Sequence, residues 1–140
     1  MFEFLWSKKK SDCPKILVVD DEPNIVQTLQ DRLEMNDYRV VTAVNGKDGL
    51  EKAVSEKPDI VLLDVIMPIM DGHEMLEHLR KTEEGRDISV IMLTARSQNN
   101  DIARATACGI EDYIVKPFDL SELLEKIESI LENKRAVSKV

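Results

Sequence analysis

The chain has 140 residues, 43% of them hydrophobic, with only 5 Gly and 5 Pro, enough apolar sequence for one well-cored domain. Its net charge of −8 argues against the broad Lys and Arg footprint of a nucleic-acid surface and is compatible with a site that gathers carboxylates around a divalent cation. Cys13 and Cys108 are too few for a disulfide framework and lack the neighbours of a metal cage, so they read as small, buried or idle thiols of a reducing compartment.

No run approaches the ~20 apolar residues of a membrane span. The opening residues do not form a signal peptide either: the apolar part is short, broken by Glu3, and followed by its positive charges. A cytoplasmic protein is expected. Residues 1–14 read as an appendage, in which Phe2, Phe4 and Trp6 precede Lys8, Lys9 and Lys10. Such a segment is either a terminus that frays or packs back on the domain, or a weak anchor, residues 1–10, for a partner groove or an anionic membrane surface.

Lys15-Ile16-Leu17-Val18-Val19 is a continuous apolar run that ends in Asp20-Asp21-Glu22-Pro23. Short runs of this kind, bounded by turn signals, read as strands buried on both faces of a parallel sheet. Ile25, Val26, Leu29 and Leu33 then share one helical face, with Pro23 suited to the first turn. Asn36-Asp37 breaks this helix, and Tyr38 to Ala43 is a second strand, more polar and so nearer a sheet edge. Asn45-Gly46 turns into a second helix with Leu50 and Ala53 inward, ended by Lys57-Pro58. Ile60 to Leu63 runs unbroken into Asp64, and a turn follows with Pro68 and Asp71-Gly72. A third helix carries Met75, Leu76 and Leu79 and closes at Glu83-Glu84-Gly85; its His73 and His78 read as surface residues. Ser89 to Leu93 is a fourth strand, ending in Thr94-Ala95-Arg96. A weak, Ala-rich helix covers Asn100 to Ala107, and Gly109 ends it. Asp112 to Val115 is a fifth strand, ending in Lys116-Pro117-Phe118. Ser121-Glu122 opens a last helix with a stripe of Leu120, Leu123, Leu124, Ile127, Ile130 and Leu131. Residues 134–140 read as a polar tail, which leaves 15–133 as the domain. Five strands alternating with five helices predict βαβ crossovers and a parallel sheet covered on both faces, an α/β fold.

In an open α/β sheet the ligand site lies outside the carboxyl ends of the strands. Asp20 and Asp21, Asp64, Thr94 and Lys116 follow four strands and so meet at one edge. Each alone has an ordinary role as a helix cap, a strand end or a solvated charge. Together they make a site. Three carboxylates repel one another unless a cation neutralises them or one takes up a proton. Oxygen ligands without Cys or His suit Mg²⁺ better than zinc. Phosphoryl transfer asks mainly for positioning and charge stabilisation. Asp64 is therefore read as a phosphoryl acceptor, with Mg²⁺ bridging it to the incoming group. Lys116 would pair with phosphoryl oxygens and the Thr94 hydroxyl would donate to another.

At these residues the sequence resembles the response-regulator receiver domains of two-component signalling, over about residues 15–133. The matching segments are Ile16 to Pro23, the stretch through Asp64 to Pro68 with Asp71-Gly72, Met92-Leu93-Thr94-Ala95, and Tyr113-Ile114-Val115-Lys116-Pro117-Phe118. The resemblance implies a flavodoxin-like, doubly wound, five-stranded parallel sheet of order 2-1-3-4-5 with five helices. It implies Asp64 as phosphoacceptor, and Asp20, Asp21, Asp64 and the backbone carbonyl of Ile66 as Mg²⁺ ligands. Thr94 and Lys116 would sense the phosphoryl group, and a cis peptide before Pro117 would help place Lys116. The implied donor is a phosphohistidine on a histidine kinase or histidine phosphotransfer protein. In the implied switch Thr94 moves inward and Tyr113 rotates into the space released, altering the face of helix 4, strand 5 and helix 5. Ile66 and Arg96 stand where the family tunes hydrolysis; Ile66 offers no polar group to orient water, which implies a long-lived phosphate.

With no room for an output domain beyond Val140, the expected function is a stand-alone, chemotaxis-regulator-like response regulator. It would act on an unknown downstream protein and on no nucleic acid. It would not be an enzyme beyond its own phosphorylation and dephosphorylation. A Mg²⁺-dependent phosphatase is the alternative, but that chemistry wants a second carboxylate where Ile66 stands. A flavin-binding electron carrier would want a hydroxyl-rich loop after the first strand, where Asp20-Asp21 would repel phosphate.

Overall fold

In the three innermost strands nearly every side chain is apolar, so both faces of the sheet must be covered. The computed structural model describes residues 13–95 and 99–138. The anchor expected in residues 1–10 and Arg96, expected to tune hydrolysis, lie outside the described residues. The strands are β1 (Lys15–Val19), β2 (Arg39–Ala43), β3 (Ile60–Asp64), β4 (Ser89–Thr94) and β5 (Asp112–Val115). The helices are α1 (Pro23–Met35), α2 (Gly46–Glu56), α3 (Gly72–Arg80), α4 (Asn99–Ala107) and α5 (Leu120–Ser138). The sheet order is β2-β1-β3-β4-β5 and every pairing is parallel. This is the expected doubly wound arrangement, with the more polar β2 at an edge.

Alternation along each strand sorts the helices onto two faces. Leu17, Val19, Val61, Leu63, Val90 and Met92 point to one side and pack with Ala53 of α2, Met75, Leu76 and Leu79 of α3, and Ala105 of α4. Ile16, Val18, Ile60, Leu62, Ile91 and Leu93 point to the other, against Leu29 and Leu33 of α1 and Leu123, Ile127 and Leu131 of α5. Each fully buried Leu or Ile contributes about 1.5–3 kcal/mol. This burial fixes register, since a slip by one residue would turn each strand inside out. Register in turn sets the strand ends level: Val19 lies opposite Ala43 and Leu63, Asp64 opposite Leu93, and Thr94 opposite Val115.

Three local expectations are corrected. α3 ends at Arg80 and not at Glu83-Glu84-Gly85, because the following turn has its own bonds. Thr82 Oγ1 donates to Leu79 O (2.7 Å) and accepts from Gly85 N (2.8 Å). The Arg80 guanidinium fastens this turn to the end of α4, donating to Gly85 O (2.7 Å), Cys108 O (2.8 Å) and Gly109 O (2.6 Å). His73 is buried, 4% exposed, because it sits three residues before Leu76 on the inward face of α3; His78 is exposed, as expected. The polar tail expected from Lys134 continues α5 to Ser138 instead, and Lys134 Nζ bends back to donate to Asp59 O (2.8 Å).

The loop from β3 to α3 is held at several points. Val65 N donates to Leu93 O (3.1 Å), Gly72 N to Val65 O (2.8 Å), and Gly46 N to Met70 O (3.0 Å). Met67 is buried and Met70 packs against the core, while Met70 N closes a three-residue turn onto Pro68 O (2.8 Å). The central residue of that turn, Ile69, has φ +72°, a strained conformation for a β-branched side chain. Asp71 then caps α3 in a reciprocal box with Glu74.

Two substitutions separate the cap from the close approach behind it. Asp71→Ala should cost about 1 kcal/mol in urea unfolding. A Cβ on Gly72 would lie 2.3 Å from Asp64 O and 3.0 Å from Val65 Cα, both backbone atoms. Gly72→Ala should therefore cost clearly more than Asp71→Ala; an equal or smaller loss would show that this loop yields easily.

Candidate functional site at the carboxyl edge of the sheet

The level strand ends deliver the chemistry-bearing side chains to one place. Asp20 follows β1, where Asp20 N donates to Ala43 O of the neighbouring strand (3.1 Å). Its carboxylate is buried: Oδ1 accepts from Glu22 N (3.0 Å) and Oδ2 from Lys116 Nζ (2.8 Å). Asp64 closes β3, and its Oδ1 accepts from the same ammonium at 3.2 Å. Lys116 is brought in by the end of β5, where Lys116 N donates to Thr94 O (2.6 Å) and the Lys116–Pro117 peptide is cis, as the resemblance implies.

Asp21 is exposed and completes the group. One carboxylate oxygen from each of Asp20, Asp21 and Asp64 lies within 4.8 Å of the others, the geometry of a candidate metal centre. Every sequence-expected acidic residue and Lys116 thus meet at this edge. Thr94 is buried at the end of β4 and lines a small cleft with Val65, Met92, Ile102, Ala105, Ile110 and Tyr113. Tyr113 is turned toward solvent at the rim of that cleft. Ile66 is 73% exposed beside Asp64.

The electrostatics are frustrated. Burial pushes the Asp64 carboxyl up to about 6; the Asp20 and Asp21 charges add to the rise and Lys116 opposes it. Burial pulls the Lys116 ammonium down, but its hydrogen bond to Asp20 and the charges of Asp64 and Asp20 more than reverse this and hold it above the usual lysine value. One ammonium does not neutralise three carboxylates.

Sequence reasoning passed over Ile69, whose side chain stands 78% exposed on the strained turn that follows Asp64. The available signal was an isoleucine inside Pro68-Ile69-Met70-Asp71-Gly72, a turn where a residue tolerant of positive φ is the default.

Fold and site can now be set beside known proteins. The family model described as the response regulator receiver domain matches residues 16–128. The chain belongs to that family. This receiver domain is 40% identical over 118 residues to the DNA-binding dual master transcriptional regulator RpaA of Synechocystis sp., covering 84% of this chain and 49% of RpaA. It superposes on the chemotaxis protein CheY4 of Vibrio cholerae with a TM-score of 0.80 and 30% identity, covering 84% of this chain and 98% of CheY4. It also superposes on the receiver domain of the sensor histidine kinase PA1611 from Pseudomonas aeruginosa, solved with a magnesium ion coordinated in its active-site cleft. There the TM-score is 0.79 and the identity 28%, covering 86% of this chain and 98% of that domain. The chain spans about half the length of the curated relatives it matches. The expectation of no nucleic-acid partner rests on net charge alone and draws no support from a relative named as DNA-binding. Among the described residues, no helix is long and apolar enough to cross a membrane.

The raised Asp64 value predicts a pH-dependent penalty in metal-free protein. A folded value of about 6 against an ordinary 3.8 means that the charged carboxyl destabilises the fold above about pH 6. The penalty is relieved as pH falls toward ~4. In EDTA at pH 7.5, Asp64→Asn should stabilise the protein by on the order of 1–3 kcal/mol in urea unfolding. The gain should shrink at pH 4.5. A variant less stable than wild type at pH 7.5 would contradict this assignment.

Proposed function

We propose that this receiver domain accepts a phosphoryl group on Asp64 and changes its protein contacts in response. The observation that carries the reading is the meeting of Lys116 with Asp20 and Asp64, beside Asp21, at one sheet edge. An Asp64 oxygen attacks the phosphorus of a phosphohistidine; a P–O bond forms and the P–N bond breaks. The imidazole leaves with the electron pair and takes a proton from solvent. The donor is a histidine kinase or a histidine phosphotransfer protein. The domain is a phosphoacceptor and not an enzyme acting on other molecules.

The residues present fit Mg²⁺: the donors are all oxygen, with no Cys or His in the cluster, and carry more negative charge than Lys116 offsets. Asp20, Asp21, Asp64 and the backbone carbonyl of Ile66 would hold it. When bound, Mg²⁺ supplies positive charge at the phosphoryl oxygens. Lys116 already spans Asp20 and Asp64, so it can keep the first bond and turn the second toward a phosphoryl oxygen. The Thr94 hydroxyl donates to another.

That hydrogen bond draws Thr94 away from the cleft it shares with Tyr113, Ile102 and Ala105, and the Tyr113 ring moves in. The equilibrium of the α4–β5–α5 face shifts with it, and a protein target reads the change. Ile66 has no polar group to orient an attacking water, so the phosphate is long-lived. The setting of this chemistry is the cytoplasm.

Intact mass after incubation with Mg²⁺ and acetyl phosphate tests the reading. Wild type should gain one phosphoryl group; Asp64→Ala should gain none, nor should wild type in EDTA. A wild type that binds Mg²⁺ yet gains nothing from acetyl phosphate or phosphoramidate would contradict it. An equal gain in Asp64→Ala would move the acceptor elsewhere.

A further inference from the structure

Two grooves meet at the amino edge of the sheet, the edge opposite Asp64. The larger, about 680 Å³, is lined by Cys13, Glu34, Asp37, Tyr38, Val40 and Val41. The smaller, about 240 Å³, is lined by Pro14, Asp37, Tyr38, Glu128, Leu131 and Glu132. Tyr38 belongs to both and is half-buried, packed against the core face that α1 and α5 cover. The larger groove runs along β2, which pairs with β1 alone. Arg39 N donates to Pro14 O (2.9 Å) and Ala43 O accepts from Asp20 N (3.1 Å), so this parallel ladder turns the N–H and C=O of Val40 away from β1. An open strand edge beside half-buried valines is a place where another segment can lie.

The rims of both grooves are acidic. Glu34, Asp37, Glu128 and Glu132 are all exposed. Among the described lining residues, Lys15 pairs with Glu56 (3.1 Å) and Arg39 Nε donates to Cys13 O (2.8 Å). Arg135 is the remaining cation against these four carboxylates. Such surfaces fit a short peptide with aromatic side chains and clustered lysines, and one is covalently attached. The described residues begin at Cys13 and Pro14, which line one groove each. Upstream stand Lys8, Lys9 and Lys10, then Trp6, Phe4 and Phe2, half of the six aromatic residues in the chain. Trp6 is seven residues before Cys13, a reach of up to ~25 Å. A tether this short gives an effective concentration on the order of millimolar, which favours the segment over any separate partner of equal affinity.

We propose that residues 2–10 of the chain dock into the two grooves around Tyr38, the aromatic side chains against Tyr38, Val40 and Val41 and the lysines against the acidic rims. The segment is a strap that closes the open edge of β2. Tyr38 precedes β2 and Asp64 ends β3, so the strap lies at the opposite end of the strands from the acidic cluster. The inference is therefore independent of the reading of Asp64 as phosphoacceptor.

Trp6 is the only tryptophan among the 140 residues, so its fluorescence reports on this segment alone. In the full chain the emission should lie to the blue of its position in concentrated urea and should resist quenching by acrylamide. Tyr38→Ala removes the side chain shared by the two grooves. Glu128→Lys with Glu132→Lys, at exposed positions of α5, reverses the charge of one rim. Each variant should lose the blue shift while circular dichroism shows it folded. Should Tyr38→Ala fail to fold, the rim reversal decides alone.

Blue emission that survives the rim reversal or a folded Tyr38→Ala would overturn the proposal, because Trp6 would then be buried elsewhere. Native emission at the unfolded position would overturn it outright; a blue shift that appears only on adding phosphatidylglycerol vesicles would assign the segment to an anionic membrane surface. Blue emission that is lost on dilution, with a dimer in sedimentation, would assign the segment to the grooves of a second copy and also overturn it.

Discussion

Two buried carboxylates, Asp20 and Asp64, share one ammonium, Lys116, and the rest of the sheet edge depends on holding them there. Left to themselves, like charges in a partly buried site would move apart or take up protons. They stay because the strands that carry them are locked by apolar burial on both faces. The core thus supports a site that is unfavourable by its own electrostatics: burial first, then the charges of Asp20 and Asp21, raise the Asp64 carboxyl. Such tension is what a site built to receive a cation and an anionic group should show.

The same constraint divides the molecule into fixed and adjustable parts. α1 and α5 pack Leu29, Leu33, Leu123, Ile127 and Leu131 onto one face and frame the ends of β1 and β5. On the other face, among the described side chains, α4 contributes only Ala105 to the buried cluster. Its C-terminal end is clamped by Arg80, and an exposed Arg104–Glu77 pair (2.9 Å) joins its middle to α3. Surface pairs of this kind contribute little. A helix pinned at one end and lightly held elsewhere can pivot, as the proposed exchange of Thr94 and Tyr113 requires, without disturbing the strands that position Asp64.

Much of this was legible in the sequence, for a physical reason. Parallel strands buried on both faces read as unbroken apolar runs, so Ile16 to Val19, Ile60 to Leu63 and Val90 to Leu93 stood out, and the polar residue after each run marked the site edge. Strand order is not contained in periodicity and followed from the family resemblance. What escaped depends on distant partners. Arg80 ends α3 by bonding carbonyls 5, 28 and 29 residues away, and Lys134 is held in α5 by Asp59, 75 residues away. His73 could be placed only once the inward face of α3 was known. Ile69 escaped because propensity argues against isoleucine at positive φ, and only the packed loop around it reveals that it is forced there.

The most direct test of the account is to locate the phosphoryl group chemically. Borohydride reduces an aspartyl phosphate to homoserine, which peptide mapping can assign to one position. After phosphorylation with acetyl phosphate and Mg²⁺, the account predicts homoserine in place of Asp64 and nowhere else. Homoserine in place of Asp20 or Asp21, or phosphate recovered on a residue outside the cluster, would contradict it.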